Sequence, residues 1–114
     1  MGCIVPLDEM RRISDWARSH DIKLHLDGAR LSEAVAAEAG SLQENCSLCD
    51  MVSLDLSKNP GAPMGAMVLG SAKLIAQLRR VRKSVGGAIR QCRPLAATAR
   101  VAVQERLVLV FGEL

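Results

Sequence analysis

Apolar residues recur along the chain with two alternating periods, one near 3.6 and one near 2. Leu7, Met10, Ile13 and Ala17 make one stripe of a helix predicted over residues 6–20. Asp8 and Glu9 suit its first turn and Arg18 and His20 its last, with Trp16 at the edge of the stripe. The period then shortens. Ile22, Leu24 and Leu26 alternate with Lys23, His25 and Asp27, which predicts a strand over residues 21–27. Gly28 breaks it, and an alanine-rich helix carrying Leu31, Ala34 and Val35 follows over residues 29–39, ended by Gly40. Ser41, with Glu44 three residues on, opens a short helix with a capping box. Residues 51–56 and 65–70 read as two further strands. Ser71 caps a helix over 71–84 whose buried stripe is Leu74, Ile75, Leu78 and Val81. Gly86-Gly87 interrupts the pattern. A last helix runs from 91 to about 110, with Pro94 in its first turn and Leu95, Ala99, Val103 and Leu107 facing inward. Strands alternating with helices predict an α/β fold.

Between the second and third strands lies the stretch around which the chain is organised. Val52-Ser53-Leu54-Asp55-Leu56 ends in Ser57-Lys58, and Asn59-Pro60-Gly61-Ala62-Pro63-Met64-Gly65 follows at once. The prolines fix φ and the glycines permit tight backbone, so a rigid loop presents one lysine at a strand tip. A free lysine amine is almost entirely protonated at neutral pH; partial burial or nearby positive charge frees its lone pair for a Schiff base. The plainer reading is an exposed loop lysine. The first strand changes that balance. It ends in Asp27-Gly28-Ala29-Arg30, so two strands carry polar groups at their carboxyl ends, where open α/β sheets bind ligands. A lysine for an aldehyde, an aspartate for a pyridinium nitrogen and an arginine for a carboxylate are the groups a pyridoxal phosphate site needs. His25 shares a face with Asp27, and with no nucleophile beside it reads as a structural or supporting histidine. Asp55 is assigned no role.

Three blocks resemble the threonine aldolases, of the β-eliminating lyase group of fold-type-I pyridoxal phosphate enzymes. They are His-Leu-Asp-Gly-Ala-Arg-Leu at 25–31, Val-Ser-Leu-Asp-Leu-Ser-Lys at 52–58 with Gly-Ala-Pro-Met-Gly at 61–65, and Gly-Gly-Ala-Ile-Arg-Gln at 86–91. Their order and spacing fit from about residue 5 to about residue 103. The resemblance implies that this is part of the large-domain sheet of such an enzyme, and that pyridoxal 5'-phosphate is the cofactor. It implies Lys58 as the catalytic lysine that holds the cofactor, Asp27 as the partner of its ring nitrogen and Arg30 as the group that binds the substrate carboxylate. Lys83 and Arg90 match positions near the cofactor or a subunit boundary. The implied reaction cleaves a β-hydroxy amino acid, threonine or allo-threonine, to glycine and an aldehyde, in a homo-oligomer. Asn59-Pro60 and Cys92-Arg93-Pro94 depart from the family pattern, and Arg93 puts a charge where packing is expected.

Length and composition bound the picture further. The chain has 114 residues, enough for one small domain, and its 49% apolar content marks it as globular. In the resemblance it is a partial cofactor-binding domain. Under that resemblance, the N-terminal part of the large domain and the C-terminal small domain, which would supply the phosphate cradle, the ring-stacking histidine and a second arginine, are expected to be absent from these 114 residues. The isolated chain is therefore expected to be an incompetent aldolase, and an inactive remnant or a non-catalytic binding subunit is the alternative. The net charge of +3 is modest. The late basic run from Lys73 to Arg100 lacks interleaved aromatics, so a nucleic-acid module is the weaker reading. No apolar run reaches membrane-span length, and no signal peptide is visible, so no membrane partner and a cytoplasmic location are expected. Cys46-x-x-Cys49 has no second pair to complete a zinc set, so no metal is assigned and the cysteines read as free thiols.

Overall fold

The computed structural model describes residues 3–107. Strands β1 (His25–Asp27), β2 (Met51–Asp55) and β3 (Ala66–Gly70) form one mixed sheet in that order. β1 and β2 run parallel, with Asp27 opposite Ser53; β2 and β3 run antiparallel, with Asp55 opposite Ala66. A parallel pair needs a crossover. Helices α2 (Leu31–Ala36) and α3 (Leu42–Ser47) supply it. Helix α1 (Leu7–Ser19) precedes the sheet, α4 (Ala72–Ser84) follows it, and α5 (Arg93–Ala102) continues into a π-helical turn over Val103–Leu107. The α/β class read from the periodicity is the class observed.

The first strand is shorter than its alternation predicts. Asp21 sits at φ 53 and closes α1, its N–H donating to the Arg18 carbonyl while that of Ile22 donates to Ala17. Asp50 then takes the backbone that a longer strand would have paired: its carboxylate accepts from Leu24 N at 2.9 Å and from Lys23 Nζ at 3.1 Å. Ile22 is exposed as a result. Helix α2 also stops early. Glu38 takes the left-handed conformation at φ 61, with the Glu38 and Ala39 N–H groups donating to Val35 and Ala34, a closure usually left to glycine. Gly40, also at positive φ, lies two residues further on, against the Leu7 side chain. The capping box forms as predicted, Ser41 and Glu44 bonding reciprocally.

Polar as well as apolar contacts seat α1. Ser14 is fully buried and donates to the Leu48 carbonyl at 2.6 Å, and Arg11 pairs with Glu44 at 3.2 Å. Ile13, predicted to face inward, is exposed, and Trp16 stacks on His20 at 4.5 Å instead of packing beside the stripe. On α4, Leu74, Ile75 and Leu78 are half-buried, whereas Val81 is exposed. In α5, Leu95, Ala99 and Val103 face inward as expected; the Leu107 side chain, and any continuation of the helix past 107, lie outside the described residues. Arg93 is exposed, so its charge meets water and disturbs no packing. The core cluster that matters for the site is Leu56, Ala62 and Ala99, extended by Ala102 and Val103.

Candidate active site

That cluster is what fixes the lysine loop. Leu56 and Ala62 flank Lys58 and both pack against Ala99 of α5. Backbone hydrogen bonds close the turn: Ala62 N donates to Leu56 O at 2.8 Å, Gly61 N to Lys58 O at 2.9 Å and Leu56 N to Gly65 O at 3.0 Å. Gly61 at φ 76 and Gly65 at φ 116 occupy backbone angles that side chains resist, and Pro60 is buried. The Asn59-Pro60 departure is thus accommodated without opening the loop.

Lys58 is held at its amine as well. Nζ lies 2.8 Å from Asp55 Oδ2, with the two side chains 43% and 32% exposed. Sequence reasoning left Asp55 without a role. The signal lay in the spacing: with Asp55 ending a strand and a tight turn after it, residues three apart come face to face.

Asp27 stands at the end of β1, level with Ser53 on the neighbouring strand, and Lys58 lies on the loop that leaves the same end of β2. The parallel pairing therefore puts the carboxylate and the amine at the carboxyl ends of adjacent strands. Asp27 is exposed, and its Oδ1 accepts from Ala29 N at 3.2 Å. Gly28 locks this end of β1 to β2. It is buried, its N–H donates to Ser53 O at 2.8 Å, and a Cβ there would lie 2.7 Å from that oxygen and 2.9 Å from Leu54 Cδ2. His25 Nε2 is 3.3 Å from Ser53 Oγ, a contact on the sheet face that Asp27 shares.

Arg30 occupies the position just before α2, exposed, with Nε 4.0 Å from Glu33. Lys83, in the last turn of α4, and Arg90, in the segment after it, are both exposed. Behind the sheet end, an apolar cavity of about 250 Å³ is walled by Gly28, Leu54, Leu56, Met67, Leu69 and Val103. Elsewhere, the Leu24 N–H, then Lys23, hold the Asp50 carboxyl below its ordinary range, and Ser41 does the same for Glu44. Burial pushes the Cys46 and Cys49 thiols up, and all four cysteines are free. Among the described residues no helix is long and apolar enough to cross a membrane.

Comparison with known proteins finds matches over most of the chain. A family model described as beta-eliminating lyase matches residues 1–111. Alanine racemase TOXG of Cochliobolus carbonum is 57% identical over 108 residues, covering 95% of this chain and 28% of that protein. A low-specificity L-threonine aldolase of Candida albicans is 45% identical, covering 93% of this chain and 28% of that protein. A crystal structure from Listeria monocytogenes EGD-E, described as an L-allo-threonine aldolase, superposes with a TM-score of 0.88 at 28% identity, over 93% of this chain and 30% of that one. The chain thus spans under a third of the length of the relatives it matches.

Proposed function

We propose that this chain, which belongs to the beta-eliminating lyase family, carries the lysine and aspartate of a pyridoxal phosphate site that cleaves a β-hydroxy amino acid, threonine or allo-threonine, to glycine and an aldehyde. The observation that carries this reading is the placement of Asp27 and Lys58 at the carboxyl ends of two adjacent parallel strands. The donor set suits the cofactor. A primary amine sits on a loop braced by α5, a carboxylate stands at the neighbouring strand end, and a buried glycine keeps those strand ends in close contact.

Lys58 Nζ would hold the cofactor's aldehyde carbon. Asp27 would accept a hydrogen bond from the protonated ring nitrogen and keep that proton in place. Arg30 would orient the substrate carboxylate through a bidentate contact; its guanidinium is exposed, with one carboxylate 4.0 Å away. Pyridoxal phosphate, when bound, supplies the electron sink for a bond broken at the substrate Cα. Lys83 and Arg90 are proposed as positive groups at the edge of the site or at a subunit boundary of a homo-oligomer. The chain is read as one part of the large, cofactor-binding domain. The phosphate cradle and ring-stacking face would come from the rest of that domain.

A second reading has a specific observation behind it: a relative 57% identical to this chain is named an alanine racemase. The same lysine and aspartate serve a racemase, in which a proton is removed from Cα and returned to the other face with no carbon–carbon cleavage. The deciding experiment gives a full-length protein carrying this segment L-threonine, L-allo-threonine and L-alanine in turn. Glycine and acetaldehyde in equal amounts are expected. D-alanine formed from L-alanine, with no aldehyde from either hydroxy amino acid, would replace this reading by the racemase.

A further inference from the structure

We propose that Asp55 is a positioning residue for Lys58: its carboxylate holds the amine at the strand end and must release it before Nζ can bond to a carbonyl carbon. The inference rests on the reading of Lys58 as the cofactor-holding lysine.

Both partners are fixed by their backbones. Asp55 closes β2 opposite Ala66, and Lys58 sits on the loop that Leu56, Ala62 and Ala99 brace. The pair at 2.8 Å thus joins two points that the sheet and the braced loop hold near each other. A lysine has four side-chain torsions to order, and the carboxylate orders them in one direction. Attachment to an aldehyde converts the ammonium and the carbonyl into a protonated C=N linkage and one water. One proton leaves nitrogen, the C–N bond forms, a second proton leaves nitrogen, and the carbonyl oxygen departs with both as water. While the carboxylate grips the ammonium, the nitrogen cannot attack. Both side chains are more than 30% exposed, so the grip is that of a partly solvated pair. Its loss should speed attachment about two- to five-fold, and salt should weaken it.

The test needs no cofactor. Formaldehyde with cyanoborohydride methylates lysines, and mass spectrometry of peptides reads Lys58 against the exposed Lys73 in the same sample. In the wild-type chain, raising salt from about 0.02 to about 0.5 M should speed Lys58 relative to Lys73. Asp55→Asn should speed Lys58 about two- to five-fold at low salt, leave Lys73 unchanged and abolish the salt effect. A wild-type Lys58 rate indifferent to salt would overturn the proposal, whether or not the variant folds. Equal acceleration of both lysines in Asp55→Asn would overturn it too, since that reports general loosening. Because the reagent is formaldehyde, either failure leaves the cofactor assignment standing. That assignment fails separately, if pyridoxal phosphate is captured on another lysine.

Discussion

Replacing Gly28 with alanine is the sharpest perturbation the site allows, because one added carbon tests fold and chemistry together. The new Cβ would stand 2.7 Å from Ser53 O and 2.9 Å from Leu54 Cδ2. The leucine methyl can swing aside; the carbonyl is backbone in the centre of the sheet. Relief therefore requires β1 and β2 to separate by about half an ångström at the end that bears Asp27. That motion stretches the 2.8 Å hydrogen bond from Gly28 N to the same oxygen. Overpacking costs about 1–3 kcal/mol and a weakened hydrogen bond up to about 1 kcal/mol. Restricting the unfolded chain returns about 0.4–1 kcal/mol. The expected net loss is about 1–3 kcal/mol, read as a lower urea midpoint at constant slope. Pyridoxal phosphate affinity should fall as well, since Asp27 adjoins the displaced residue. Gly70→Ala is the control: its Cβ would meet a Leu74 methyl at 3.1 Å, which can give, and the Asp50 carbonyl at 3.2 Å, a looser backbone contact than the 2.7 Å at Gly28, so a smaller loss is expected. A Gly28→Ala protein with unchanged midpoint and unchanged cofactor affinity would refute the idea that this contact sets the site.

Glu38→Gly should raise stability by about 0.5–1 kcal/mol in thermal melts, because it removes a side chain from the left-handed region at φ 61; a loss would mean that the glutamate makes compensating contacts. Asp50 is held below its ordinary value in the fold, so its contribution is present above about pH 4 and is lost as pH falls through the lower folded value. Asp50→Asn should flatten the acid side of the stability curve, as followed by circular dichroism at a series of pH values. In a full-length protein carrying this segment, Asp27→Ala should cut turnover by at least about a hundredfold while moving the melting midpoint little, since Asp27 is exposed and bonds only Ala29 N among the described residues. Equal losses of activity and stability would make Asp27 a structural residue.

The helix and strand pattern was legible because each amphipathic element carries its own period, and α1, α4 and the capping box of α3 lie where that period puts them. Part of what the pattern missed was decided by partners distant in sequence. Asp50 reaches back to Lys23 and Leu24 and shortens β1, and no local window contains both ends of that contact. Glu38 closes α2 in a conformation its residue type disfavours, so the stop signal was sought at Gly40. At the candidate site, Asp27 and Lys58 were singled out because strand ends with polar residues are conspicuous in an apolar background. Asp55 was passed over because a carboxylate at the end of a strand resembles ordinary solvation until the turn folds it onto the lysine.

The central claim is that Lys58 carries the cofactor, and one measurement addresses it directly. A full-length protein carrying this segment is incubated with pyridoxal phosphate, reduced with borohydride, digested and mapped by mass spectrometry. The account predicts the pyridoxyl mass on the peptide containing Lys58, and its loss in Lys58→Ala. A pyridoxyl group on Lys23, Lys73 or Lys83, with Lys58 unmodified, would contradict it.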